Sequence, residues 1–173
     1  MKKRFFHFQL AAGLIGILLV GGCGQDVRVS SNAGDTTAVL CKSYYKQCIN
    51  PIFYKSLTRT DGAVKQCVEC HRGGPGKSFQ LSTADPSTNE YWLGSYQTAH
   101  DMALDGTSSK LLLKPLGQLA HGGGQFFVNT TDPDYLLIKI WISNPDPSNT
   151  AGNFDTASDT AYCQAVLGAN PCP

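Results

Sequence analysis

The sequence predicts a mainly α-helical domain followed by a C-terminal tail held by disulfides, and three observations predict it. Apolar residues recur at helical spacing in separate stretches, while no convincing strand and no internal repeat accompany them. Seven cysteines in 173 residues are many for the length, and they follow an N-terminal segment that reads as an export signal, which places them where disulfides persist. Residues 1–22 read as the signal peptide, 23–34 as a flexible tether, 35–145 as the folded domain and 146–173 as the tail.

Each element has its own local reason. Asp35 or Thr36 can cap a first helix carrying Val39, Leu40, Tyr44, Tyr45 and Cys48 about one turn apart, until Pro51 ends or kinks it. A short turn over residues 52–57 follows. Ser87-Thr88-Asn89-Glu90 has the form of a capping box, opening a helix with Trp92, Tyr96, Ala99 and Ala103 on one face until Asp105-Gly106 stops it. A short helix from Ser108 or Ser109 to Lys114 precedes Pro115, and residues 115–130 form a glycine-rich loop. Thr131-Asp132-Pro133 starts the last helix, since proline is tolerated in a first turn; residues 135–142 supply its apolar face before Asn144-Pro145 ends it. Trp92, Tyr96, Trp141 and Tyr135 sit at helical spacing and are expected in the core.

Lys2, Lys3 and Arg4 precede an apolar stretch over residues 10–20, too short to span a bilayer comfortably. It ends in Val20-Gly21-Gly22-Cys23, which resembles the lipobox of bacterial lipoproteins. That resemblance implies cleavage before a lipid-bearing Cys23, with Gly24 in place of an inner-membrane retention signal favouring the outer membrane, facing periplasm or cell exterior. The polar run after Cys23 suits a tether between lipid and folded body. Lys and Arg total 14 against 13 Asp and Glu, and no basic cluster survives outside the signal, so the electrostatic footprint of a nucleic-acid binder is missing.

Cys67-Val68-Glu69-Cys70-His71 carries the chemistry. Covalent haem attachment needs two thiols reaching two vinyl groups from one turn of chain, and an imidazole beside them to bind iron from the same side. A zinc half-site would want a second ligand pair, and a thioredoxin-like redox pair a strand-helix context. Gly76-Lys77-Ser78 matches the end of a phosphate-binding loop, but His71 occupies the position of its first glycine, and no strand precedes it. The glycines after the motif are expected to let backbone pass close to a flat macrocycle.

Outside the signal the chain offers His71, His100, His121 and Met102 as iron ligands. His100 and Met102 fall within the expected second long helix, whereas His121 lies in the loop before the last helix, followed by Gly122-Gly123-Gly124. His121 is the expected distal ligand and Met102 the alternative, with His100 or an open position beyond them. Methionine would raise the potential relative to bis-imidazole ligation; an open position would point to a haem sensor or peroxidase-like enzyme.

The stretch from Cys67 to Ile142 resembles the cytochrome c domains of planctomycete-type bacterial proteins. The resemblance rests on Cys-x-x-Cys-His, on Lys77 to Ser82, on Ser109-Lys110-Leu111-Leu112-Leu113-Lys114-Pro115-Leu116-Gly117, on His121 to Gly124, and on Asp134 to Leu137 leading to Trp141-Ile142. It implies a small cytochrome c-like helical domain around one covalent haem c, with the distal role carried onto His121. The lipobox, the cysteine-paired first helix and the cysteine-bearing tail depart from it. The function expected is single-electron transfer by a lipid-anchored monohaem carrier, not an enzyme, docking transiently with redox partner proteins. A fixed haem subunit of a larger surface assembly is the other carrier reading.

With Cys23 taking lipid and Cys67 and Cys70 taking haem, Cys41, Cys48, Cys163 and Cys172 remain for two disulfides. Cys41 and Cys48 stand two helical turns apart, about 10 Å along the axis, too far to bond if the helix is intact. Each is therefore expected to pair with one of Cys163 and Cys172, stapling the tail to the first helix. A Cys163 to Cys172 loop with Cys41 joined to Cys48 through a distorted helix is the alternative.

Overall fold

The computed structural model describes residues 39–73, 78–146, 161–168 and 172. The expected signal, Cys23, the tether, the Asp35 or Thr36 helix start, residues 74–77 of the glycine loop and residues 147–160 of the tail lie outside the described residues.

The first described residues, Val39 and Leu40, form a strand where a helix was expected. β1 (Val39–Leu40) pairs antiparallel with β4 (Pro145–Asp146), a pairing that joins the two ends of the domain and that no alternation over two residues could announce. Helix starts only after Cys41, with α1 (Lys42–Tyr44), a π-helical turn (Tyr45–Ile49) and α2 (Asn50–Tyr54) running on in sequence. Pro51 does not end this run. Its ring would collide with a carbonyl four residues back in a regular helix. The wider turn before it relieves that conflict, with the Asn50 N–H reaching Tyr45 O.

β2 (Leu57–Thr58) and β3 (Val64–Lys65) form a second small antiparallel pair where no strand was expected, while the short turn expected over 52–57 is helical as far as Tyr54. The hairpin closes through Asp61-Gly62, with Gly62 at φ +85, a conformation that suits a residue without Cβ. α3 (Cys67–His71) follows it directly.

α4 (Asn89–Ala103) matches the expected helix, but its capping box does not form. The Ser87 N–H and hydroxyl both turn back to Asp85 Oδ1, at 2.8 Å each, so an Asp turn takes the serine that would have capped the helix. α5 (Lys110–Leu113) is capped by Ser109, whose Oγ accepts from Leu111 N at 3.1 Å. α6 (Pro133–Ser143) begins as expected: Asp132 Oδ1 accepts from Asp134 N at 3.0 Å, and proline occupies the first turn. The tail contributes α7 (Ala161–Leu167), a short helix that was not expected there.

Tyr45, Tyr96 and Trp141 meet at the centre of the core, each with no exposed surface. Their ring centroids lie 5.3 Å apart for Tyr45 and Tyr96, and 5.1 Å for Tyr45 and Trp141. The polar tips serve the first turn of the chain. Tyr96 Oη donates to Leu40 O at 2.6 Å, and Trp141 Nε1 donates to Cys41 O at 2.9 Å. In this way α4 and α6 hold the strand-to-helix junction that also carries the first disulfide.

Cys41 bonds Cys163 and Cys48 bonds Cys172. The cross-pairing expected from helical spacing is the one formed. Among the described residues, no helix is long and apolar enough to cross a membrane.

Candidate functional site

The hairpin, α3 and the loop before α6 converge on one cleft of about 190 Å³. Cys67, Cys70, His121, Gly123, Phe126 and Arg59 are in its wall.

On the first side, α3 is a single turn of helix that sets Cys67 and Cys70 three residues apart, with His71 at its end. Neither cysteine is in a disulfide. Leu81 N–H donates to His71 O at 2.8 Å, and Phe79 lies against His71. The Phe79 ring meets the imidazole edge-on at 4.9 Å between centroids, and Phe79 O lies 3.0 Å from His71 Nδ1. A carbonyl can only accept, so Nδ1 carries the proton and donates. The basic lone pair of His71 is therefore at Nε2.

On the second side, the loop after α5 has no regular structure but is tied down by backbone. Pro115 O accepts from Phe126 N at 2.8 Å and from Phe127 N at 3.0 Å, while the hairpin's Thr60 N donates to Gln125 O at 3.1 Å. Within it, His121 Nδ1 donates to Gly124 O at 2.8 Å, fixing the same tautomer as in His71. Gly123 lies against this ring: a Cβ there would sit 3.2 Å from His121 Cε1 and 3.3 Å from Nε2. Only a residue without a side chain leaves that edge of the imidazole uncrowded.

The two imidazole rings have their centroids 6.1 Å apart and their planes inclined by 24°. A histidine nitrogen binds a first-row metal at about 2.0 Å and lies about 1.1 Å from its ring centroid, so two axial imidazoles on one metal hold their centroids about 6.2 Å apart. The donor set thus fits a haem. Cys67 and Cys70 could hold it covalently and His71 and His121 could ligate its iron, each imidazole oriented through Nδ1 by a backbone carbonyl as metal-bound histidines commonly are.

Burial pushes the Cys67 thiol up to about 12, with the nearby Asp134 carboxylate and Cys70 adding to the effect. A thiol so disposed stays protonated at neutral pH, unlike the low-pKa thiolates of redox and zinc sites. Among the described residues, no group of three or more His, Cys, Asp or Glu assembles to hold a metal ion by protein ligands alone.

His71, His100 and Met102 all lie outside the cleft wall, and of the three His71 has its ring beside that of His121, at 6.1 Å between centroids. His100 is 3 % exposed on α4, packed on Tyr96 at 5.7 Å. Met102 packs against the core from the same helix, its carbonyl accepting from Ser109 Oγ. Of the ligand candidates in the sequence, the fold brings His121 to His71. It also brings residues that sequence reasoning missed: Arg59 from the hairpin, Phe79 as acceptor for His71, and Phe126 behind His121. The Asp61-Gly62 dipeptide, a hairpin-turn signal, was the one hint that Arg59 would fold back toward the motif.

No family model matches this chain, and neither does any curated protein or solved structure.

Proposed function

We propose that this chain is a single-electron carrier, an exported monohaem protein of cytochrome c type with haem attached through Cys67 and Cys70 and ligated by His71 and His121. One observation carries the reading: two imidazoles with backbone-oriented Nδ1 atoms stand 6.1 Å apart beside a pair of thiols on one helical turn. When bound, the haem supplies a one-electron iron couple.

The chain's own residues do the rest. Phe79 O and Gly124 O hold the two rings in one tautomer and one orientation, so the ligand set has little to rearrange when charge changes. Phe79, at 8 % exposure, and Phe126, at 7 %, present apolar surface beside the rings and limit water there. Were His71 and His121 both to ligate the iron, no small substrate would reach it, which favours a carrier over a sensor or peroxidase. Redox partner proteins are the expected clients.

Export is supported by the two disulfides, which oxidising compartments preserve. Cys23 is the proposed lipidation site, anchoring the domain by a tether over 23–34 with the outer membrane favoured. A Cys23→Ala variant should leave the membrane fraction.

The deciding experiment is expression with export and haem-attachment machinery, followed by a pyridine haemochrome spectrum and EPR of the oxidised protein. A thioether-linked haem with a six-coordinate low-spin signal supports the proposal. Absence of covalent haem, or a high-spin resting iron, sinks it.

A further inference from the structure

We propose that the outward face of α6, centred on Leu136 and Ile140, lies against the phospholipid surface that carries the protein's anchor. This rests on the lipid-anchor reading at Cys23 above.

α6 is apolar on both sides. Tyr135, Ile138, Trp141 and Ile142 are buried in the core, and the opposite face carries Leu136 at 39 % and Ile140 at 43 % exposure. Standing four residues apart on one helix, these two side chains are neighbours. The other large apolar side chains exposed among the described residues come from other elements or loops. Pro133 and Ser143, also exposed, continue the stripe toward the two ends, and Lys139 is the one charged residue between 135 and 145. A helix at a protein's surface ordinarily turns charge and amide outward, as α4 does with Glu90, Gln97 and Asp101. α6 does not, and a helix apolar all round is one that a second apolar phase covers.

The start of the folded chain says which phase. Val39 pairs with Asp146, three residues beyond the end of α6, so the segment bearing Cys23 joins the domain at the C-terminal end of this helix. Sixteen peptide bonds separate Cys23 from Val39, which keeps the lipid within about 55 Å of that junction however the chain runs. α6 itself is about 16 Å long. Acyl chains on Cys23 therefore keep a bilayer surface within reach of Leu136 and Ile140, and contact with it becomes an intramolecular step. The chemistry of the face suits that surface. Two aliphatic side chains can enter the boundary between headgroups and acyl chains, while Lys139 beside them extends its ammonium to lipid phosphate. Two side chains alone are too little to hold the domain on a membrane, so the lipid supplies the attachment and α6 the orientation.

The test uses the full-length lipidated holoprotein in vesicles of phosphatidylethanolamine and phosphatidylglycerol that contain a phospholipid with a photoreactive diazirine on its acyl chain. After illumination, mass mapping should find label on the peptide over 133–143 as well as on the segment after Cys23. Leu136→Ser/Ile140→Ser should lower the label over 133–143 about tenfold and leave the label after Cys23 unchanged. Wild-type α6 labelled no more than α4 overturns the proposal, whether the face is left to water or covered by a second copy or by the tail. An undiminished α6 label in the double variant overturns it as well.

Should the double variant fail to accumulate, Ile140→Gln alone should lower the α6 label about threefold, and an unchanged label overturns the proposal. Wild-type protein whose mature mass carries no acyl groups would instead be failure of the anchor reading itself, visible before any vesicle is made.

Discussion

Replacing Cys41 and Cys163 together by alanine removes one of two cross-links that close nearly the same loop, and the energetic consequence depends on which bond is left. The bonds span 122 and 124 residues of sequence. With Cys48–Cys172 intact, the Cys41–Cys163 bond closes only a further ring through the segments 41–48 and 163–172, about sixteen residues, worth roughly 3 kcal/mol of chain entropy. Removing the second bond then opens the long loop, roughly 5 kcal/mol more. The first loss should therefore be the smaller one, whichever pair is removed. Alanine is the right replacement because Cys41 and Cys163 are 2 % and 4 % exposed, where a serine hydroxyl would add its own penalty. Thermal denaturation of the holoprotein, followed by circular dichroism, should show a fall of roughly 6–12 °C for the single-pair variant. If that variant loses as much as the protein lacking both bonds, the shared-loop reasoning is refuted.

Three further outcomes follow from the site and core. His121→Ala should convert the oxidised low-spin EPR signal to high spin, while His121→Met should keep it low spin and raise the potential; an unaltered signal in His121→Ala would remove His121 from the iron. Tyr96→Phe takes the donor from Leu40 O in the buried core and should cost about 1–3 kcal/mol in urea denaturation, with haem content unchanged. The haem-free chain should lose stability in alkali. The folded Cys67 thiol at about 12 lies above its ordinary 9.0, so its contribution is complete below pH 9 and lost as pH rises toward 12. The holoprotein and a Cys67→Ala variant should both lack the component that begins near pH 9, before the raised tyrosines (Tyr44, Tyr45, Tyr54 and Tyr91) enter.

Some of this was legible because it is local. The α6 start is written in Asp132-Pro133, whose backbone and side-chain chemistry act within one turn. The disulfide pattern was legible because helical rise alone keeps Cys41 and Cys48 apart. Other features depend on distant chain. β1 exists because Pro145 and Asp146 come back to it, a partner more than one hundred residues away. Pro51 reads as a helix end until the π turn ahead of it is seen, and that turn is supported by burial of Tyr45, Cys48 and Ile49, not by propensity. The capping box at Ser87 lost to Asp85, since two short-range acceptors competed for one serine. At the site, the motif and the loop histidine could be read as residues; the carbonyls that orient them could not, because any residue supplies a carbonyl.

The aromatic residues explain how so irregular a site can be held still. From His71 the ring contacts run to Phe79 at 4.9 Å, to Phe53 at 5.2 Å and to Tyr45 at 6.4 Å, where they join Trp141 at 5.1 Å. Trp141 in turn donates to Cys41 O, the residue of the first disulfide. His71 is thus packed, ring by ring, onto the segment that the tail staples. Aromatic pairs of this kind, two of them edge-to-face and two tilted, contribute about 0.5–1.5 kcal/mol each beyond their area, and rigid rings transmit position better than flexible aliphatic chains. The expectation that Tyr96 and Trp141 are core residues stands, with no relay role needed. Their part in the site is mechanical: they fix the frame against which a five-residue helix and a backbone-tied loop hold two imidazoles 6.1 Å apart.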